Sequence, residues 1–366
     1  MTYTEIASIS TAIIIAVVFI FFLTRKNNIK RPKKTGLSVV NGLSAFFNGD
    51  DNTALDTLKD IAFKGNANPE IYLILGFLFR RRKDFTRASQ IHEMMLGNQE
   101  LDKDFRNALI GELAEDYMLA GQYAKAVSLL QKESQVMNNP DNIITMAKSA
   151  LYSQSYDNAL QYYTKYNKIT GKEMPGFFEK CMVEKAVHAE NAQSALKYIK
   201  SAIEKNKNCR PARIIKGLLY LNTDKVQKAV DEFQSVITDG LLRDMNDIKN
   251  VEKAYIAAGK EVELTNLLKQ QVSGGASNPF IHIALAEKYE YNNEKEMAKT
   301  VLESYIEQPD TKIIGAKVYA EKFNNKLIAH VTKDSSSFKC RVCGFETNQY
   351  KDDCPKCSAY DSIYPK

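Results

Sequence analysis

The chain has 366 residues, of which 44% are hydrophobic and 26% charged, a composition that is typical of folded proteins and excludes an intrinsically disordered chain. Its formal net charge of +6 comes from one segment, residues 24–49, which contains six bases and no acid. Bases and acids balance over the rest of the chain, which excludes a broadly basic nucleic-acid-binding protein.

An uncharged apolar stretch from Ile6 to Leu23 predicts a membrane-spanning helix. A helix of that length covers about 27 Å, close to the hydrocarbon thickness of a bilayer. Glu5 precedes the stretch and the basic segment follows it, the reverse of the order in a cleaved signal peptide. By the positive-inside rule we expect residues 1–24 to be an uncleaved anchor and residues 25–37 to be a basic linker on the cytoplasmic side. A buried core helix is the alternative interpretation.

Residues 38–330 repeat a helix-turn-helix pattern with a period of about 34 residues. In each unit a small residue is followed twelve positions later by alanine. The pairs are Gly42/Ala54, Gly76/Ala88, Ala114/Ala126, Ala147/Ala159, Gly217/Ala229 and Ala286/Ala298, with a weaker pair at Val183/Ala195 and a degenerate unit around Asp247 to Gln271. The period predicts an all-α tetratricopeptide-repeat solenoid. We also expect Ser273 to Pro279 to form a bend or a joint between repeat units, and residues 311–330 to form a single capping helix.

The predicted repeats offer an extended surface for protein partners and no closed pocket for catalysis. In the unit that begins at Gly76, the first helix places Phe77, Arg80 and Arg81 on the predicted concave face. These three residues form a candidate site for an anionic partner segment, and a solvated basic face is the alternative. Elsewhere in the repeats, His92, Cys181 and Cys209 are expected to be buried packing residues.

Two Cys-x-x-Cys pairs, Cys340 with Cys343 and Cys354 with Cys357, lie ten residues apart near the end of the chain. This spacing predicts one tetrahedral site for a single metal ion, iron or zinc, in a small domain over residues 331–366. A segment of that size cannot bury an adequate core, so we expect the metal to stabilise its fold. Four thiolates fill a tetrahedral ion, which leaves no position for a substrate.

The order of anchor, repeats and four-cysteine ribbon resembles the lipopolysaccharide assembly protein B family of bacterial inner-membrane proteins. The resemblance is sharpest in "GFLFRRR" from residue 76, "RASQIH" from residue 87, "DYMLAGQY" from residue 116 and the ending "CGF…CPKCSAYDSIYP" from residue 343, which is rubredoxin-like. One departure is Tyr360, which stands where the family commonly has tryptophan.

The resemblance implies a scaffold without enzymatic activity, anchored in the inner membrane by one span, with the bulk of the chain in the cytoplasm. Its implied partners are the lipid A deacetylase, the membrane AAA+ protease FtsH to which the deacetylase is presented, and lipopolysaccharide assembly and transport proteins. It also implies that the ribbon docks against the repeats and shapes the partner-binding surface. The residues leave two other functions open: a rubredoxin-like electron-transfer protein, and a general envelope-assembly scaffold without a protease link. A homo-oligomer is compatible with each of them.

Overall fold

The structure is a computed structural model that describes residues 33–63, 68–98, 100–306, 312–333 and 335–366. The predicted anchor, residues 1–24, lies outside these ranges. Across the ranges that are described, every helix is too short or too polar to cross a bilayer.

The described part of the chain is almost entirely helical, and its eighteen helices follow one another as nine helical hairpins. The hairpins are α1 (Lys33–Phe47) with α2 (Asp51–Phe63), α3 (Pro69–Arg81) with α4 (Phe85–Leu96), α5 (Lys103–Leu119) with α6 (Tyr123–Lys132), α7 (Pro140–Tyr152) with α8 (Tyr156–Thr170), α9 (Phe177–Val187) with α10 (Ala192–Lys205), α11 (Arg210–Asn222) with α12 (Val226–Thr238), α13 (Met245–Ala257) with α14 (Glu261–Ser273), α15 (Pro279–Tyr291) with α16 (Lys295–Tyr305), and α17 (Ile313–Lys322) with α18 (Lys326–Thr332). The all-α prediction and the repeated helical hairpin are confirmed. Helix α1 begins inside the segment predicted as a linker.

Small residues lie where the two helices of a hairpin cross. A β-carbon added to Gly42 would come within 2.7 Å of Leu58, and one added to Gly217 would come within 2.5 Å of Phe233. Ala54 and Ala229, which follow these glycines twelve residues later, are fully buried. The spacing of twelve therefore reflects contact between helices, as the repeat pattern predicts.

The helices form two compact units that divide between Glu173 and Met174. The first unit contains α1 to α8, and the second contains α9 to α18 together with the C-terminal ribbon. The segment from Ser273 to Pro279 is a joint between two hairpins, as the sequence predicts, because it connects the end of α14 to the start of α15. Asn278 fixes the connection: its side chain caps α15 and donates to the carbonyl oxygens of Gly240 and Leu242 at 2.8 and 2.9 Å.

The single capping helix predicted over residues 311–330 is wrong, because the segment forms two helices. The break lies at Asn324, whose φ of +51° ends α17. Asn325 then caps α18 by accepting a hydrogen bond from the amide of Ile328 at 3.1 Å. Asparagine tolerates the left-handed backbone region and is a favourable N-cap, so Asn324 ends one helix and Asn325 begins the next. The helical periodicity of the sequence does not reveal this break.

The ribbon contains a small antiparallel sheet of three strands, β1 (Phe338–Cys340), β2 (Glu346–Thr347) and β3 (Ile363–Pro365), in the order β2-β1-β3. Cys340 on β1 pairs with Ile363 on β3. Phe338 and Ile363 are buried in the same hydrophobic core as Phe233 and Ile281 of the helical hairpins. The ribbon therefore has no separate core, and it completes that of the second unit.

Candidate metal centre

The four cysteine sulfurs of the ribbon converge on one point, all within 4.8 Å of one another. The Sγ atoms of Cys340 and Cys357 are 3.8 Å apart, and those of Cys343 and Cys354 are 3.6 Å apart. A tetrahedral ion with metal–sulfur bonds of about 2.3 Å places its ligands about 3.8 Å from each other. The donor set and its spacing therefore fit one four-coordinate zinc or iron ion.

Each Cys-x-x-Cys pair lies on the same type of turn. The amide of Gly344 donates to the carbonyl of Cys340 at 2.9 Å, and the amide of Ser358 donates to that of Cys354 at 2.8 Å. Both donors have positive φ, +72° at Gly344 and +57° at Ser358. Glycine adopts this conformation without strain and predicts the first turn, whereas the second turn carries no such signal in the sequence.

The ligands differ in their exposure and in their affinity for protons. Cys340 and Cys354 are each 1% exposed, whereas Cys357 is partly exposed. Burial raises the pKa of the Cys357 thiol. Burial acts in the same direction on Cys340, but hydrogen bonds from Ser362 and nearby backbone amides outweigh it and lower the pKa of that thiol to about 7. Because metal binding displaces thiol protons, the lowered pKa of the Cys340 thiol favours its role as a metal ligand.

Arg210, the first residue of α11, joins the ribbon to the helical hairpins. Its guanidinium donates to both carboxylate oxygens of Asp247 at 3.0 and 2.5 Å and to Asp352 of the ribbon at 2.9 Å. Its backbone amide donates to Asp361 at 2.9 Å, and the guanidinium lies 4.7 Å from the ring centroid of Tyr350. A buried arginine that satisfies two carboxylates on different elements fixes how those elements pack together.

Further contacts hold the ribbon at its other edges. Lys180 of α9 pairs with Asp353 at 2.7 Å, and Lys317 of α17 donates to Asn348 at 3.1 Å. Tyr360 is 8% exposed and lies against Gly176, where a β-carbon would come within 2.8 Å of the Tyr360 carbonyl oxygen. The second unit thus contains the docked ribbon that the family resemblance implies, and Tyr360 is packed in place of the usual tryptophan.

The structure gives Arg80 an internal role that the sequence analysis does not predict. The Arg80 guanidinium pairs with Glu112, Glu115 and Asp116 of α5 at 2.8, 2.6 and 2.6 Å, so three carboxylates of the next hairpin already surround this cation. Arg81 pairs with Asp51 at 2.9 Å and covers the ring of Phe46.

Phe77 packs beside the internal charge cluster, with its ring centroid 6.2 Å from that of His92. His92 is fully buried, and its Nδ1 lies 2.6 Å from Asp116. The expected packing role of His92 is therefore confirmed. Cys181 and Cys209 are fully buried as well, and burial raises the pKa of each thiol to about 12, as expected for unreactive core cysteines.

Known proteins resemble the chain over nearly its full length. It is 21% identical to lipopolysaccharide assembly protein B of Escherichia coli K12, with 93% of this chain and 92% of that protein covered. The family resemblance in the motifs is confirmed. Lipopolysaccharide assembly protein B of Haemophilus influenzae is also 21% identical, with 91% of this chain and 90% of that protein covered. No family model matches the chain.

Solved structures show weaker similarity. A tetratricopeptide repeat protein from Parabacteroides merdae is 13% identical, covers 82% of this chain and 98% of its own, and has a TM-score of 0.39. MamA from Desulfovibrio magneticus is 14% identical, covers 47% of this chain and 95% of its own, and also has a TM-score of 0.39.

Proposed function

We propose that the chain is a non-catalytic scaffold in lipopolysaccharide assembly, held at the bacterial inner membrane by residues 1–24. The observation that carries this proposal is its similarity to lipopolysaccharide assembly protein B, which extends over 93% of the chain. Two features of the structure support a function in binding. The helical hairpins offer long surfaces for partners, and the four ligands of the metal centre leave no open position for a substrate.

The ribbon contributes to this function through its docked position. Because it shares the core of the second unit and is fixed by Arg210, Lys180 and Lys317, its outer surface and that of the hairpins of the second unit form one continuous surface for a partner. The metal then acts at a distance from any partner: it holds the two Cys-x-x-Cys turns together and thereby keeps the ribbon surface in place.

At a finer level, the proposed partners are those that the resemblance implies. The scaffold presents the lipid A deacetylase to the membrane protease FtsH and gathers lipopolysaccharide assembly and transport proteins. Membrane tethering supports such a role because it raises the effective concentration of a scaffold beside a membrane protease, so that individual contacts can be weak.

Affinity purification of the full chain from solubilised membranes tests the proposal. The wild-type chain should recover the protease and the deacetylase, and Cys343→Ser should lose them because the metal centre loses a ligand. Cys181→Ser is the matched control, since it changes a buried cysteine outside the centre and should retain the partners. Recovery of the same partners by Cys343→Ser would show that the ribbon is not part of the binding surface. Absence of both partners from the wild-type sample would exclude the adaptor function.

A further inference from the structure

A groove on the second unit carries an excess of positive charge that the proposed function does not use. It lies beside α10 and the turn between α11 and α12 and has a volume of about 760 Å³. We call it the lysine groove and define it by the lining residues Ala192, Leu196, Lys197, Lys200, Glu204 and Lys225. Lys197 and Lys200 are one helical turn apart on α10, and Lys225 faces the groove from the start of α12.

The three lysines of the groove lie together without a carboxylate partner in the described part of the chain, whereas several other lysines of the unit form ion pairs. Elsewhere in the second unit, Lys216 pairs with Glu232, Lys288 with Glu252 and Lys322 with Glu290, each at 2.6 Å. Lys197, Lys200 and Lys225 are exposed, and among the described residues no carboxylate lies within ion-pair distance of them. Their charges are therefore left for a ligand that carries negative charge.

The other lining residues narrow the class of ligand. Leu196 and Ala192 add partly exposed apolar surface to the groove. This surface can pack against an aliphatic side chain, but it has no charge or hydrogen-bond donor for a phosphate backbone. Glu204 lines the groove and would repel a continuous run of phosphates. A segment that mixes acidic and aliphatic residues matches this pattern of charge and apolar surface better than a nucleic acid does.

We propose that the lysine groove binds an acidic segment of a partner protein, with carboxylates between the lysines of α10 and Lys225 and an aliphatic side chain against Leu196. This surface is distinct from the metal ribbon. It gives the proposed scaffold a second site for a partner. The inference rests on the proposed function only in assuming that this partner is a protein.

Fluorescence anisotropy with the full-length protein in detergent micelles tests the groove. The probe is a fluorescein-labelled peptide of twelve residues that contains glutamate, leucine and alanine. We expect saturable binding that weakens as salt rises from about 0.05 to about 0.3 M, because ion pairs at an exposed groove are screened. The triple variant Lys197→Glu, Lys200→Glu, Lys225→Glu should weaken binding about 100-fold, or about fivefold for each reversed charge.

Two further variants separate a specific groove from general charge and from misfolding. The control triple Lys253→Glu, Lys295→Glu, Lys326→Glu changes the net charge equally at exposed lysines of the same unit and should alter affinity less than threefold. Glu204→Lys should tighten binding about fivefold, a gain that a misfolded chain cannot produce.

The groove is rejected if the wild-type protein shows no saturable binding, if both triple variants lose affinity equally, or if neither does. Tighter binding to an oligothymidine probe or to vesicles containing phosphatidylglycerol than to the peptide would also reject a protein partner. These outcomes are independent of the purification test, since the peptide titration requires neither the protease nor the deacetylase.

Discussion

At the scale of single residues, the burial of the Asp361 carboxyl group makes the stability of the docked ribbon depend on pH. Burial raises its pKa from 3.8 to about 6, although the Arg210 amide and the charges of Arg243 and Arg210 oppose the shift. Because the folded-state pKa is the higher one, the stabilising contribution is complete below pH 3.8 and is lost as pH rises through about 6. At neutral pH the ionised Asp361 therefore destabilises the fold.

Asp361→Asn should remove this penalty and raise the free energy of unfolding at pH 7 by about 1–3 kcal/mol. Asparagine keeps an acceptor for the Arg210 amide and tolerates the φ of +47° at this position. Thermal melts at pH 7 and pH 4 measure the effect, and the gain in Tm should vanish at the lower pH. Asp353→Asn, which breaks the pair with Lys180 on the same surface, should give no gain. An equal gain at both pH values would contradict the assignment.

The cysteines of the ribbon determine which metal is bound and whether electron transfer is a function. Four converging sulfurs should bind one metal ion per chain, measured by elemental analysis of the protein purified from its cells. Cys340→Ser should lower the metal content severalfold and the Tm with it, whereas Cys209→Ser, in which a core thiol is changed, should retain the metal. Zinc would exclude the electron-transfer alternative. Iron with reversible thiolate-to-iron absorption bands would support it.

At the scale of elements, the hairpins depend on close crossings between their two helices. Gly217→Ala places a methyl group 2.5 Å from the ring of Phe233, which is fully buried and cannot move into solvent. Overpacking of this kind costs about 1–3 kcal/mol, while alanine regains about 1 kcal/mol of helix propensity, so stability should fall by up to about 2 kcal/mol. Urea unfolding measures it. Gly217→Ala should cost less stability in a Phe233→Leu background than in the wild type, because the smaller side chain leaves room for the methyl group. An equal cost in both backgrounds would show that the crossing is not the cause.

The contacts between elements show which features can be predicted from the sequence and which cannot. The Gly217/Ala229 spacing lies within one hairpin and repeats along the chain, so periodicity reveals it, and the close spacing of the four cysteines reveals the metal centre. Arg210 contacts Asp247 and Asp352, which are 37 and 142 residues away. Neither partner has a periodic or local signal, because Asp247 lies in the next hairpin and Asp352 meets Arg210 only where the ribbon docks. The ion pairs of Arg80 have no local signal for a similar reason: its carboxylate partners come from the next hairpin.

At the scale of the whole molecule, the proposed tether makes the scaffold depend on its distance from the membrane. Residues 25–32 lie between the predicted anchor and α1, and eight residues span at most about 28 Å even when fully extended. The first helix of the first unit would therefore stay near the bilayer, where a membrane protease and its client meet. Deletion of residues 1–24 should move the protein into the soluble fraction and slow client turnover in cells, because the effective concentration of the scaffold falls.

Replacement of residues 1–24 by an unrelated single-span segment of the same orientation separates tethering from a specific contact of the anchor. If tethering alone is needed, the replacement should restore turnover to the wild-type rate while the deletion remains slow at equal protein abundance. Restored membrane attachment without restored turnover would mean that the anchor itself binds a partner. A deletion variant that supports the wild-type rate of turnover would show that the scaffold acts without the membrane, because diffusion would then suffice to bring client and protease together.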